Sequence, residues 1–144
     1  MSATGKARAW MVVAGMVLTS VSARAQDVLI VANRGVAASQ ISEGQLREIF
    51  TGVRSRLTDG TRAVPVLLKG GPVHEVFLHR RIGDSPEEFR TRWRKAVFTG
   101  QGSMPKEFRS EAELLDYVEA TPGAIGYVSR LNDKNSVKVL IVSP

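Results

Sequence analysis

Lys69, Gly70, Gly71 and His74 lie close together in the stretch LLKGGPVHEVF, Leu67 to Phe77, where an apolar run gives way to a helical pattern. Two glycines ahead of a helix start can aim free backbone N–H groups and the positive end of the helix dipole at one point. A neighbouring lysine adds mobile positive charge, so the chemistry on offer is the binding of phosphate or carboxylate. The same glycines would also serve a strand-to-helix turn that binds nothing, because glycine adopts backbone angles that other residues avoid. From these residues alone both readings stand.

The remaining reactive residues support catalysis poorly. His74 and His79 are five positions apart and point to different faces of a helix, which is not the spacing of a helical metal site. The chain has no cysteine and no GxSxG elbow, so neither thiol nor hydroxyl nucleophile has a recognisable setting. Glu87 and Glu88 form an acid pair, but in the first turn of a helix negative charge is stabilising without any catalytic role. A hydrolase using His74 lacks a nucleophile and an orienting acid. The expectation is a binding protein, not an enzyme, with no cofactor and no metal.

The elements that must position the glycine turn are well punctuated. QDVLIVAN, Gln26 to Asn33, reads as a buried strand, followed by a loop, RGVAASQ. In ISEGQLREIFTG, Ser42 and Gln45 make a capping box, Ile41 and Leu46 sit where a hydrophobic staple would, and Gly52 stops the helix. Asp59-Gly60 is the pivot of a turn feeding the strand TRAVPVLL, which ends at Leu68. Pro72 then opens a helix with Val73, Val76 and Phe77 at helical spacing. Ser85, Pro86 and Glu88 open the next helix, on one face of which Phe89, Trp93, Ala96 and Val97 recur. Ser110 and Glu113 open another, with Leu114, Leu115 and Val118 as its stripe. GAIGYVS and VKVLIVS close the chain as two short strands. Strands alternating with helices in this way predict an α/β layer fold, with a mostly parallel sheet flanked by helices.

The first 25 residues read as an export signal: Lys6 and Arg8, then the apolar AWMVVAGMVLTSV, then Ala23-Arg24-Ala25, with cleavage expected before Gln26. The competing reading, an uncleaved anchor, is disfavoured because the apolar run falls short of the ~20 residues a spanning helix needs. The expected domains are therefore 1–25, a cleaved signal peptide, and 26–144, one periplasmic domain with no membrane insertion after cleavage. Three of the 20 Lys and Arg leave with the signal, which takes the net charge from +6 to +3. Arg80, Arg81, Arg90, Arg92, Arg94 and Lys95 concentrate the remaining charge, without the interleaved aromatics that nucleic acid would call for.

TPGAIGYVS from Thr121, LREIFTGVRSRLTDGTRAVPVLL and WRKAVFTGQG resemble the phosphate-binding periplasmic proteins of ABC transporters. More closely, the chain resembles the short, single-domain, phosphate transporter substrate-binding-like members of the type 2 periplasmic binding protein superfamily. The resemblance runs from about Val28 to Val128 and implies a single lobe where the full-length family has two that close around phosphate. In the family's second lobe an Arg-Ser-Asp-Gly-Ser-Gly-Thr-Thr turn leads to a helix Phe. With that Phe on Phe77, Gly71, Pro72 and Val73 stand where Ser, Gly and Thr would be, and His74 stands on the second Thr. Both ligating hydroxyls are missing, Pro72 removes an N–H donor, and the arginine position falls on Leu67, with Lys69 nearby as a substitute charge.

Two functions follow as expectations. The first is periplasmic solute binding of phosphate or a related oxyanion, for a membrane transporter or sensor protein, with Lys69, Gly70, Gly71, Val73, His74 and Thr99 converging on a pocket. The FTGQG loop at Phe98 and the TPGAIGYVS turn are expected at the same end of the sheet. The second is a binding-protein-derived adaptor that works through protein–protein contact, using Arg90 to Lys95 or the Arg80-Arg81 pair.

Overall fold

The computed structural model describes residues 27–144; the expected signal segment and its cleavage point lie outside the described residues. The elements run β1 (Leu29–Ala32), β2 (Gln40–Ser42), α1 (Glu43–Phe50), β3 (Val64–Leu68), α2 (Pro72–Phe77), α3 (Pro86–Phe98), β4 (Lys106–Phe108), α4 (Glu111–Ala120), β5 (Ala124–Val128) and β6 (Lys138–Ser143). A π-helical turn over Leu78–Ile82 prolongs α2.

One six-stranded sheet has the order β2-β6-β1-β5-β3-β4. β2 runs parallel to β6, and β3 runs parallel to both β4 and β5, while β1 pairs antiparallel with β5 and with β6. Five strands therefore point one way and β1 alone is reversed, in agreement with a mostly parallel sheet flanked by helices. β2 and β4 are strands where only loop was expected. Each is three residues long and sits at a sheet edge, so its extended form comes from the neighbouring strand and not from any periodicity of its own.

The helix starts follow the sequence closely. Ser42 and Ser85 each accept from the amide three residues on, and Gln45 and Glu88 return the bond to the cap amide. At Ser110 only half of the box forms: its side chain accepts from Glu113 N–H, while the Glu113 carboxylate accepts from Arg109 N–H at 3.4 Å.

Two consecutive residues of β5 attach the layers to the sheet. A Cβ at Gly126 would lie 2.9 Å from Leu114 and 3.0 Å from Val66, so α4 packs closely over a position that only glycine leaves open. Tyr127 points to the opposite face. Its ring stacks on Phe77 at 3.8 Å, and Phe50 of α1 meets Phe77 edge-on at 4.8 Å. The Tyr127 hydroxyl accepts from Leu68 N–H at 2.9 Å and lies 2.5 Å from His74 Nδ1. Accepting from Leu68 leaves the hydroxyl its own proton, which it can donate to His74 Nδ1 in the tautomer that carries its hydrogen on Nε2. Burial raises the Tyr127 pKa well above the ordinary phenol value, which keeps that proton in place.

α2 accordingly buries His74 and Phe77 and leaves Val73 and Val76 half-buried, a stripe displaced from the one its apolar residues predict. Burial lowers the His74 pKa below its ordinary value; Glu75 opposes that shift and Arg90 adds to it. Burial thus favours the neutral imidazole, the form that can accept at Nδ1.

Two outcomes follow. Tyr127→Phe leaves both Leu68 N–H and His74 without a partner and should lower unfolding stability by about 2–3 kcal/mol, read from the urea midpoint. Because the unfolded chain protonates His74 near pH 6.5 and the native state resists, stability is complete above that pH and falls as pH drops below it. A His74→Gln variant, which keeps an acceptor and does not titrate, should show a flatter decline between neutral and mildly acidic pH in urea titrations.

Candidate functional site

The parallel strands β2, β3 and β4 each lead directly into a helix, so the N-termini of α1, α2 and α4 gather at the carboxyl end of the sheet. Two of these starts are capped from within, by Ser42 with Gln45 and by Ser110. The start of α2 has no side-chain cap. Gly71 there has φ 94° and ψ 175°, a conformation for glycine and essentially no other residue. Glu75 N–H bonds to Gly71 O, and the amides of Gly70, Gly71, Val73 and His74 meet no acceptor among the described residues. Pro72 contributes none.

Lys69 is exposed, and its own amide is spent on Phe108 O at 2.8 Å. Because Leu68 pairs with Phe108, Lys69 and Arg109 leave the ends of adjacent strands side by side. Arg109 was not singled out from sequence. Its place depends on β4, a strand too short to show a pattern; the signal was only a cation one residue past an aromatic.

Carboxylates already hold other positions at this end. Glu111 accepts from both Ser129 N–H and Ser129 Oγ. Arg81 is paired with Asp27 and, at 3.4 Å, with Glu43. Among the described residues Lys69 and Arg109 form no ion pair, the four amides have no acceptor, and the buried Arg81 Nε has no partner. A small apolar crevice of about 160 Å³ adjoins the amides, lined by Val28, Pro72, Val73, Val76 and Ser129.

His74 and Thr99 do not join this group in the way the sequence suggested. The His74 Nδ1 atom turns inward to Tyr127. Thr99 caps the far end of α3, where its hydroxyl donates to Lys95 O at 3.0 Å. The loop after Thr99 lies with Val64 and Pro65 at the opposite end of β3, on the order of 16 Å from the glycine turn at strand rise. The Thr121–Gly123 turn is also at that opposite end, since Gly123 O accepts from Val64 N–H. Three loops expected at one end are therefore divided between two. Among the described residues no group of three His, Cys, Asp or Glu could hold a metal ion.

No family model matches the chain. No curated protein matches it. Solved structures do. A protein of Clostridium perfringens described as a phosphate ABC transporter substrate-binding protein, solved with phosphate bound, is 16% identical with a TM-score of 0.62. The match covers 81% of this chain and 44% of that one. An ABC-type phosphate transport receptor from Vibrio cholerae is 15% identical with a TM-score of 0.59, over 81% of this chain and 46% of that one. PstS from Borrelia burgdorferi is 17% identical with a TM-score of 0.59, over 81% and 47%. The chain spans less than half the length of these proteins. Its fold is that of a single lobe of a phosphate-transporter substrate-binding protein.

Proposed function

We propose that the protein is a non-catalytic, exported solute-binding module that takes phosphate or a related oxyanion at the Lys69–His74 turn, for a membrane transporter or sensor in the periplasm. The observation that carries this reading is the set of four amides without an acceptor, at Gly70, Gly71, Val73 and His74, beside Lys69 and Arg109, which form no ion pair among the described residues. The fold it shares with proteins named for phosphate transport supports the reading. Among the described residues no helix is long and apolar enough to cross a membrane.

The role of each group follows from its place. Backbone donors set the position of the oxyanion, and the two cations supply attraction at close range. Neutral His74 contributes its backbone amide and the rigidity of its side-chain bond to Tyr127, not charge. A single lobe leaves the anion in contact with water, so affinity is modest.

Titrating phosphate into the ¹⁵N-labelled protein should move the amide signals of Gly70, Gly71 and Val73 with a Kd of about 1 mM, near −4 kcal/mol. Gly70→Asp, at a position with open space around its Cα, should abolish the effect by repulsion. Lys69→Ala should weaken it several-fold. Signals that stay fixed well above that concentration, or that move equally in Gly70→Asp, would sink the reading.

A further inference from the structure

Two helices end in the same triplet, Phe50-Thr51-Gly52 and Phe98-Thr99-Gly100, and they close in the same way. Gly52 N–H bonds to Ile49 O and Val53 N–H to Glu48 O; Gly100 N–H bonds to Val97 O and Gln101 N–H to Ala96 O. Gly52 and Gly100 both take positive φ. Yet Phe50 is fully buried in the core while Phe98 is 91% exposed. The local chemistry of the two ends is equal, so the difference lies in what covers them.

α3 is held to the body by few side chains. It buries Phe89 and Trp93, and the Trp93 indole donates to Phe50 O at 2.8 Å, which docks α3 on the end of α1. A Cβ at Gly52 would fall 2.8 Å from that ring, so Gly52 makes room for it. Beside the indole a cleft of about 340 Å³ opens between the end of α1 and the loop from α3 to β4, with Trp93, Met104, Pro65, Arg54 and Arg62 in its lining. Val53, Val97 and Met104 are exposed apolar residues on the same two helix ends and loop. Scattered exposed apolar residues are ordinary, but here Met104 lines the cleft, Val53 lies between its lining residues Gly52 and Arg54, and the helix end at Phe98 leads into its lining residue Gln101.

The charges name the occupant. Of the three cations that line the cleft, Arg54 is paired with Glu48 at 2.7 Å, while Arg62 and Lys106 form no ion pair among the described residues, and no carboxylate lines it. On α3, Arg92 is taken by Asp84, whereas Arg94 and Lys95, toward the Phe98 end, form no ion pair among the described residues. A second copy docking by this same face would bring the same cations against themselves. We propose that this cleft, together with the α3 end at Phe98, docks an acidic protein segment that carries apolar side chains. Phe98 and the cleft supply the buried contact, and the surrounding cations steer the partner and exclude basic ones. The surface lies at the opposite end of β3 from the glycine turn, so it does not depend on oxyanion binding.

Selection from a displayed library of short random peptides on the full protein tests this. Enriched peptides should combine Asp or Glu with Phe, Leu or Met, and their binding should weaken with added salt. Phe98→Ser and Arg62→Glu, both at exposed positions, should each reduce binding by about tenfold or more while leaving the urea midpoint unchanged. Overturning results are the absence of any selected peptide, selected peptides without acidic residues, or binding indifferent to both substitutions. Self-association in sedimentation that Phe98→Ser removes would also overturn it, by giving the surface to a second copy.

Discussion

The Tyr127 hydroxyl bears on three elements at once. It takes the last amide of β3 at Leu68, is hydrogen-bonded to His74 at the start of α2, and belongs to β5, whose neighbours on both sides complete the sheet. A buried polar group is inexpensive only when its partners are present, and here each of the three groups would be orphaned by the loss of another. The chain between Leu68 and His74 therefore leaves the sheet on a fixed path, and Gly71 with its positive φ is the residue that makes the path possible. The preceding position in β5, Gly126, sets the opposite layer by having no side chain. One dipeptide thus decides how close the helices on each face can come.

Much of this architecture was legible in the sequence because it is written locally. Ser42, Ser85 and Ser110 mark helix starts through bonds spanning three residues, and the Asp59-Gly60 turn closes on itself through the Asp59 carboxylate and Thr61 N–H. β3, β5 and β6 were readable as apolar runs. β2 and β4 were not, since three residues carry no period and their conformation comes from the strand alongside. The reversal of β1 was equally hidden: pairing direction is a property of two distant segments, and each segment alone looks the same either way.

The candidate site divides along the same line. The glycine turn was visible because glycines before a proline state a backbone requirement. His74 was visible as a titratable residue but not as a core acceptor, for its partner lies 53 positions away. Thr99 looked like a loop hydroxyl and is the C-cap of α3, its hydroxyl donating back to Lys95 O one turn earlier. Arg109 and the cleft at Trp93 appear only when β3 and β4 are set side by side, because their residues come from segments some 40 positions apart that neither strand announces by itself.

The reversed strand has a consequence for the order of events in time. β1 is the first strand of the described chain and lies in the interior of the sheet, yet both its neighbours, β5 and β6, are the last two strands. A chain emerging from its amino end must hold LIVA unpaired until nearly all of the sequence has followed. Such long-range pairing raises contact order and slows folding. During that wait an apolar segment with free backbone groups is exposed to other chains. Synthesis of this protein thus carries an aggregation hazard set by topology, one that substitutions improving the finished core would leave untouched.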